Sequence, residues 1–557
     1  MKKKTSNITK LIFVLLGLIV LNILSYNFFD RIDLTADKRY TLSEPAKEII
    51  ADVNAPIIVD VFLKGDFPAE FRKLQIETRQ LLEEFSAYNP NIKFNFINPL
   101  EEGGDANAIA TEFFQMGMTP ARINVVENGR SSEAIIFPWA MAHFKEKSVI
   151  IPLLKNKIGA TSEERISNSV QQLEYAFADG FSRLLNPKSK KIAVMRGNGE
   201  LPDKFIADFL KSIQEYYFIA AFTLDSVAVN PQKTLKMLQE YDLVIEAKPT
   251  EAYSEEEKYV LDQYLMKGGK TLWMLEMTAM ETDSLFTPTG SAFALPRELN
   301  LGDFFFKYGI RINPLLVKDL YSAPIILASG SGNNTQFNPY PWFYFPLSAS
   351  PNDHPIINNI EAVKFEYANP IDTLKNGIKK TILLSSSPRT NLEGTPVEIS
   401  LANINKEPEI SSFDAGEQPL AVLLEGEFSS VYENRVKPFE IPDALGNSKM
   451  TKMLVISDGD IAKNELQDGR PLELGFDRFT GTTYGNKEFL LNSVNYLLDD
   501  SGLIDLRSKD ISIAFLDLPE AEKNRLFWQI TNLLVPLLIL AVFAVGFRFY
   551  RKWKYVK

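Results

Sequence analysis

Cysteine is absent from all 557 residues, which excludes disulfides, thiolate nucleophiles, iron–sulfur clusters and zinc sites built on Cys. Histidine is nearly absent too. His143 and His354 stand alone, with no HExxH spacing and no second imidazole at ligand distance, so both read as structural and neither metal nor cofactor is expected. No long biased tract occurs, and 45% hydrophobic with 24% charged residues describes a folded chain. At roughly 100 to 200 residues per domain, such a length asks for about three globular units.

Charge is missing from two stretches in particular. Leu11 to Phe29 and Leu526 to Phe547 are uncharged and apolar, each about long enough to cross a hydrocarbon core near 30 Å thick. The first has no Ala-x-Ala cleavage pattern and reads as an uncleaved anchor rather than a signal peptide. Lys2, Lys3, Lys4 and Lys10 precede it; Arg548, Arg551, Lys552, Lys554 and Lys557 follow the second. By the positive-inside rule both termini are expected in the cytoplasm, with everything between the spans outside. Within the spans Asn22, Gln529 and Asn532 are polar groups better placed against a partner helix than against lipid. All nine flanking cations lie in segments without acids, so the part between carries about −20, an unsuitable balance for binding nucleic acid.

The ectodomain reads as α/β. Ser43 caps a helix with Pro45 in its first turn, and strand Ile57 to Leu63, a long helix and strand Ile92 to Phe96 make a βαβ unit. A helix near Ala106 to Gln115, Thr119-Pro120, and a hairpin of Arg122 to Glu127 and Ala134 to Phe137 about an Asn128-Gly129 turn complete a pattern resembling the thioredoxin-like fold, with Pro120 at its cis-proline position. Without a Cys pair, no redox chemistry follows. Thr161-Ser162-Glu163-Glu164 is a capping box opening a connecting amphipathic helix. Beyond Pro187, strands near 192, 218, 243 and 271 with intervening helices predict a doubly wound parallel sheet, completed by strands near Leu420 to Leu424 and Met453 to Ile456 and a helix at Lys487 to Leu498. Thr278 to Leu295 reads as a loop or insertion, and Asn391 to Gln418 as an irregular excursion. The expected domains are 1–29 (tip and first span), 30–158 (thioredoxin-like), 159–187 (connecting helix), 188–505 (Rossmann-like), 506–525 (juxtamembrane) and 526–557 (second span and basic tail).

Three features bear on chemistry. Gly268-Gly269-Lys270-Thr271 echoes a Walker A loop, but Tyr264 occupies the first glycine's place and the local order is helix, glycines, strand, which reads as a helix C-cap. Asp458 and Asp460 follow a strong strand, where open α/β sheets bind ligands; two carboxylates could hold a cation, and Asp-Gly-Asp is also ordinary turn sequence. Tyr340, Trp342 and Tyr344, in Asn338-Pro339-Tyr340-Pro341-Trp342-Phe343-Tyr344-Phe345-Pro346, suit recognition of a glycan or protein, and equally a core-packing loop.

The two spans, Arg39-Tyr40-Thr41-Leu42-Ser43, Val194-Met195-Arg196-Gly197-Asn198-Gly199-Glu200, Tyr241-Asp242-Leu243-Val244-Ile245 to Lys267-Gly268-Gly269-Lys270, and the aromatic proline segment together resemble the GldG family of gliding-motility-associated ABC transporter auxiliary proteins of Bacteroidetes over nearly the whole chain. That resemblance implies a glutamine-amidotransferase-like middle domain, here without its nucleophilic Cys and His. Asn198, a candidate binding residue, stands where wider relatives carry His in Gly-His-Gly-Glu. It further implies a non-enzymatic subunit partnered by a polytopic permease and a cytoplasmic ATPase, supporting gliding or associated secretion. A periplasmic hydrolase-like enzyme and a mechanical scaffold that binds no small ligand are the competing readings.

Overall fold

A computed structural model describes residue 11, residues 13–22 and 518–555, and residues 33–509 apart from 34, 36–37, 40, 66, 102, 104, 128–129, 156–158, 331–334 and 350. The expected Asn128-Gly129 turn and the end of the first span, 23–29, lie outside the described residues. Met1–Asp510 forms one compact unit and Ile511–Lys557 a second. The fold is mixed α/β.

The first sheet has four strands, β1 (Ile57–Val61), β2 (Ile92–Phe96), β3 (Trp139–Phe144) and β4 (Lys147–Pro152), in the order β2-β1-β3-β4. β1 and β2 are parallel and joined by helix α1 (Ala69–Tyr88); β3 and β4 are antiparallel additions. Residues Ala121–Glu127 and Arg130–Ile136 do form a hairpin, but as a separate two-stranded sheet; the strands that close the four-stranded sheet come later. The buried positions of β3 are Ala140 and Ala142, too weakly apolar to mark a strand by alternation. The cis peptide bond among the described residues is Thr395-Pro396, so Thr119-Pro120 is trans, contrary to the expectation for Pro120.

Helix α2 (Ser162–Leu185) begins at the expected box, Thr161 and Glu164 each accepting from the other's backbone N–H. Its Phe177 and Phe181 meet Phe85 of α1 at ring distances of 6.5 and 5.2 Å. The second sheet has seven strands: β5 (Lys191–Arg196), β6 (Phe218–Thr223), β7 (Leu243–Ala247), β8 (Lys270–Met274), β9 (Lys379–Ser385), β10 (Pro419–Gly426) and β11 (Thr451–Ile456). Their order is β9-β10-β11-β8-β7-β5-β6. The five strands from β11 to β6 are parallel, whereas β10 and β9 are antiparallel additions at one side. β7 is buried at every position because the sheet has an apolar core on each face, and it is hydrophobic except at Glu246, whose carboxyl accepts from the Tyr253 hydroxyl at 2.9 Å. Helices α3 (Glu255–Met266) and α4 (Asn486–Leu498) contribute one to each core.

Between β8 and β10 lies a long insertion that also supplies β9. It contains a hairpin of Ser322–Ser329 with Gln336–Ser348, a pair Leu315–Asp319 with Thr390–Gly394, and strand Ser291–Pro296 paired with Val397–Ser400. Stretches expected to be irregular therefore hold strands. Their partners are about a hundred residues away, as in Ala292 facing Ile399, a pairing no local pattern reveals.

In the second unit, helix α5 (Arg525–Tyr555) is long and apolar enough to cross a membrane, about 46 Å at 1.5 Å per residue, with Pro536 inside it. Gln529 and Asn532 are exposed on it. Near the other end the described apolar helix is Phe13–Asn22, where Asn22 is exposed as well.

Candidate functional site

Three neighbouring parallel strands end in charged residues. Lys248 follows β7, Glu276 lies just beyond β8, and Asp458 and Asp460 follow β11. Strand carboxyl ends are where open α/β sheets bind ligands. Here the protein fills the place itself. Lys248, 2% exposed, donates to Asp460 Oδ2 at 2.5 Å and lies 3.1 Å from Glu276 Oε1 and 2.7 Å from Glu281 Oε1. Lys463 adds contacts of 3.2 Å to Asp460 and 3.4 Å to Glu281. Arg297 approaches the other oxygen of Glu276 at 3.5 Å.

Burial pulls the Lys248 ammonium down, but the charges of Asp460, Glu276 and Glu281 outweigh it and raise its pKa. For Asp460, burial is outweighed by Lys248 and Lys463, so its carboxylate is held below the usual range. Burial pushes Glu276 and Asp458 far up, and the nearby Asp460 charge adds to both. Within the cluster the ionised form is favoured on Asp460 and disfavoured on Glu276 and Asp458. Asp458 is used by backbone, accepting from the N–H groups of Glu366 and Asp460 at 2.7 Å each. Among the described residues no group of three metal-ligating side chains is arranged to hold an ion.

The insertion closes this end of the sheet. Asn369 accepts from Met277 N–H at 2.7 Å, donates to Thr278 and Leu315, and gives its own N–H to Ser457 O. The neighbouring Tyr367 packs on Tyr344 and Phe345, with ring centroids 5.9 and 5.6 Å apart. Residues 366–369 therefore bring the aromatic segment beside the Asp458 turn, two features separated by more than a hundred residues. That segment is strand Gln336–Ser348, not a loop. Trp342 is 4% exposed in a core of the insertion, and Tyr340 and Tyr344 are half-buried against it, Tyr344 donating to Glu393.

Asn198 sits after β5 at the same end of the sheet, also buried. Its N–H donates to Glu200, and its carbonyl accepts from Thr250 and Glu251. Gly199, at φ +77°, is needed because a Cβ would stand 2.1 Å from Thr250 Oγ1. Gly268, at φ +94°, follows the C-cap Lys267 and turns the chain out of α3 into β8, so the glycines end a helix rather than open one, as a phosphate cradle would require. His143 bonds Ser148 at 2.8 Å, while the His354 ring packs against Tyr496 with centroids 4.8 Å apart and planes tilted by 59°.

Sequence reading singled out Asp458 and Asp460 but missed Lys248, Glu276, Glu281 and Lys463. A signal existed for two of them: Lys248 directly follows a mainly apolar strand, and Glu276 stands two residues past another. At the amino end of the sheet an open cavity of about 550 Å³ lies between α2, β5 and α4, lined by Tyr175, Arg183, Tyr216, Tyr217 and Asp500 among others. Its Arg183 is paired with Asp179 and Glu215, and its Lys190 with Asp500.

Residues 189–493 match the sequence model of a family described as an ABC-type uncharacterized transport system, and residues 36–143 match a domain of unknown function. An uncharacterized protein of Borreliella burgdorferi is 20% identical over 541 residues, 94% of each chain. Among solved structures, the mmIFT52 N-terminal domain is similar at 16% identity and a TM-score of 0.31, covering 56% of this chain and 99% of that one.

Proposed function

This chain belongs to the ABC-type uncharacterized transport system family, whose model spans more than half of it, and from that membership we propose a non-enzymatic, membrane-anchored accessory subunit working beside a polytopic permease and a cytoplasmic ATPase. The observation that carries the non-enzymatic part is the closed strand end. Lys248 is ion-paired with Glu276 and Asp460, and an insertion packs over them, so the usual ligand crevice of such a sheet is occupied by protein.

The reading places both basic termini in the cytoplasm, an ectodomain in the periplasm, and anchoring through α5 and the first apolar segment. A thioredoxin-like assignment for the first sheet is supported by its order β2-β1-β3-β4, and a Rossmann-like one for the second by its five parallel strands. Gliding motility or the associated secretion is the process we propose, from the resemblance in the anchors and loops. Burial of Trp342 favours a scaffold over a glycan binder. A hydrolase-like enzyme is the less supported alternative.

Affinity purification of the full chain from membranes in mild detergent tests this reading. A permease and an ATPase should co-elute, and Lys270→Ala should leave ATP turnover of the complex unchanged. Elution of the chain without transporter components would remove the premise.

A further inference from the structure

The two edges of the seven-stranded sheet are built differently. β9, at one edge, opens with Lys379-Lys380 and pairs with β10 through two register irregularities. Charge and irregularity are the usual devices that keep a sheet edge from pairing with another chain. β6, at the other edge, reads Phe218-Ile219-Ala220-Ala221-Phe222-Thr223. It carries no charge and no proline, and its register with β5 is unbroken from Lys191 facing Phe218 to Arg196 facing Thr223.

β6 is also bare. Phe218, Ala220, Ala221 and Thr223 are exposed. Consecutive residues of a strand point to opposite faces, so exposure of both Ala220 and Ala221 means that neither face covers the middle of this strand. Parallel sheets are ordinarily covered on both faces, which makes an open apolar edge strand unusual.

We infer that β6 is a docking edge for a second copy of this chain, the two sheets continuing into each other through antiparallel β6 strands about a twofold axis. The strand is self-complementary in a way that favours this occupant. A twofold axis normal to the sheet keeps each face on its own side, so facing residues share a face, and the full-length registers centre on Ala220 or Ala221. In the first register, Phe218 of one copy faces Phe222 of the other, whose ring already packs edge-on against Tyr241 at 5.7 Å. In the second, it faces Leu224, a buried core residue. In the first register the 55% exposed Phe218 ring gains an apolar partner. Methyl side chains on the axis let the backbones approach. Between Phe218 and Leu224 no residue is charged, so two copies of an acidic chain meet there without like-charge opposition.

The absence of native cysteine gives a direct test. Full-length Ala220→Cys and Ala221→Cys variants would be oxidised in detergent, with Val436→Cys, 94% exposed elsewhere, as control. Facing residues of an antiparallel pair come within about 4.5 to 5.5 Å, inside disulfide reach. A covalent homodimer at position 220 or 221 and none at 436 is the expected result. Phe218→Lys should halve the native mass of the otherwise wild-type chain with its circular dichroism spectrum unchanged, and should remove any dependence of melting temperature on protein concentration. No homodimer at either position, together with a monomeric wild-type mass, overturns the inference. Cross-linking at position 220 or 221 in intact membranes to a different protein overturns the second copy as occupant.

Discussion

Lys248 is the residue on which the strand-end cluster depends, since removing it leaves buried Asp460 to Lys463 and buried Glu276 to the more distant Arg297. Lys248→Met should lower unfolding free energy by about 3–5 kcal/mol, the cost of breaking a buried ion pair from one side. Glu281→Gln, at a position 41% exposed, should cost about 1 kcal/mol or less. Urea unfolding monitored by tryptophan fluorescence reads both, and equal losses would refute the ranking. Gly459 belongs to the same argument, because a Cβ there would stand 2.5 Å from Lys248 Cγ. A second residue gives a pH signature. Burial pushes His354 down to about 4, and its Nδ1 accepts from Ile356 N–H, so it folds neutral. The unfolded chain takes up this proton near the ordinary pKa of about 6.5, hence stability is whole above that value and is drawn down as pH falls toward 4. His354→Gln should therefore lose less melting temperature than wild type between pH 7 and 4.5; parallel curves would contradict this.

Elements were legible where the signal is local. The Ser43 cap, the Thr161–Glu164 box, β7 and α3 all follow from short-range rules and lie where those rules put them. The aromatic proline segment was not, because proline and aromatic content fits a recognition loop as well as it fits the long central strand of a small sheet. As strand Gln336–Ser348 it anchors the insertion's core. Trp342→Ala should consequently cost about 3–5 kcal/mol, the scale for emptying a large buried side chain, and should expose the insertion to limited proteolysis. Full stability with selective loss of a ligand would instead restore the recognition role. At the end of α3, Gly269→Ala should also destabilise, by about 1–3 kcal/mol, since its Cβ would meet the Tyr264 ring at 2.3 Å. Thermal unfolding of that variant measures the close approach that the glycine permits.

Topology is the prediction that belongs to the whole molecule. Single cysteines at Ser6 and at the C-terminus should be protected from an impermeant thiol reagent in intact cells, and one at Val436 should label once the outer envelope is permeabilised. Labelling of either terminus would reverse the orientation. The apolar runs and their basic flanks are legible without any structure, because transfer of charge into hydrocarbon is costly whatever the fold. Composition likewise ruled out thiol chemistry, and continuous apolar runs with intervening helices announced a parallel sheet. What the sequence could not determine was the fate of the charged residues at the strand ends. Lys248, Glu276, Glu281 and Asp460 are up to 212 positions apart, and each alone reads as a turn residue or a ligand. Only the parallel alignment of β7, β8 and β11 brings their carboxyl ends, and with them these residues, into one cluster, and only the folding of the insertion over it turns a potential site into a closed one. The physical reason is range: caps and periodicity act over a few residues, whereas ion pairing and burial depend on which distant segments the sheet order makes neighbours.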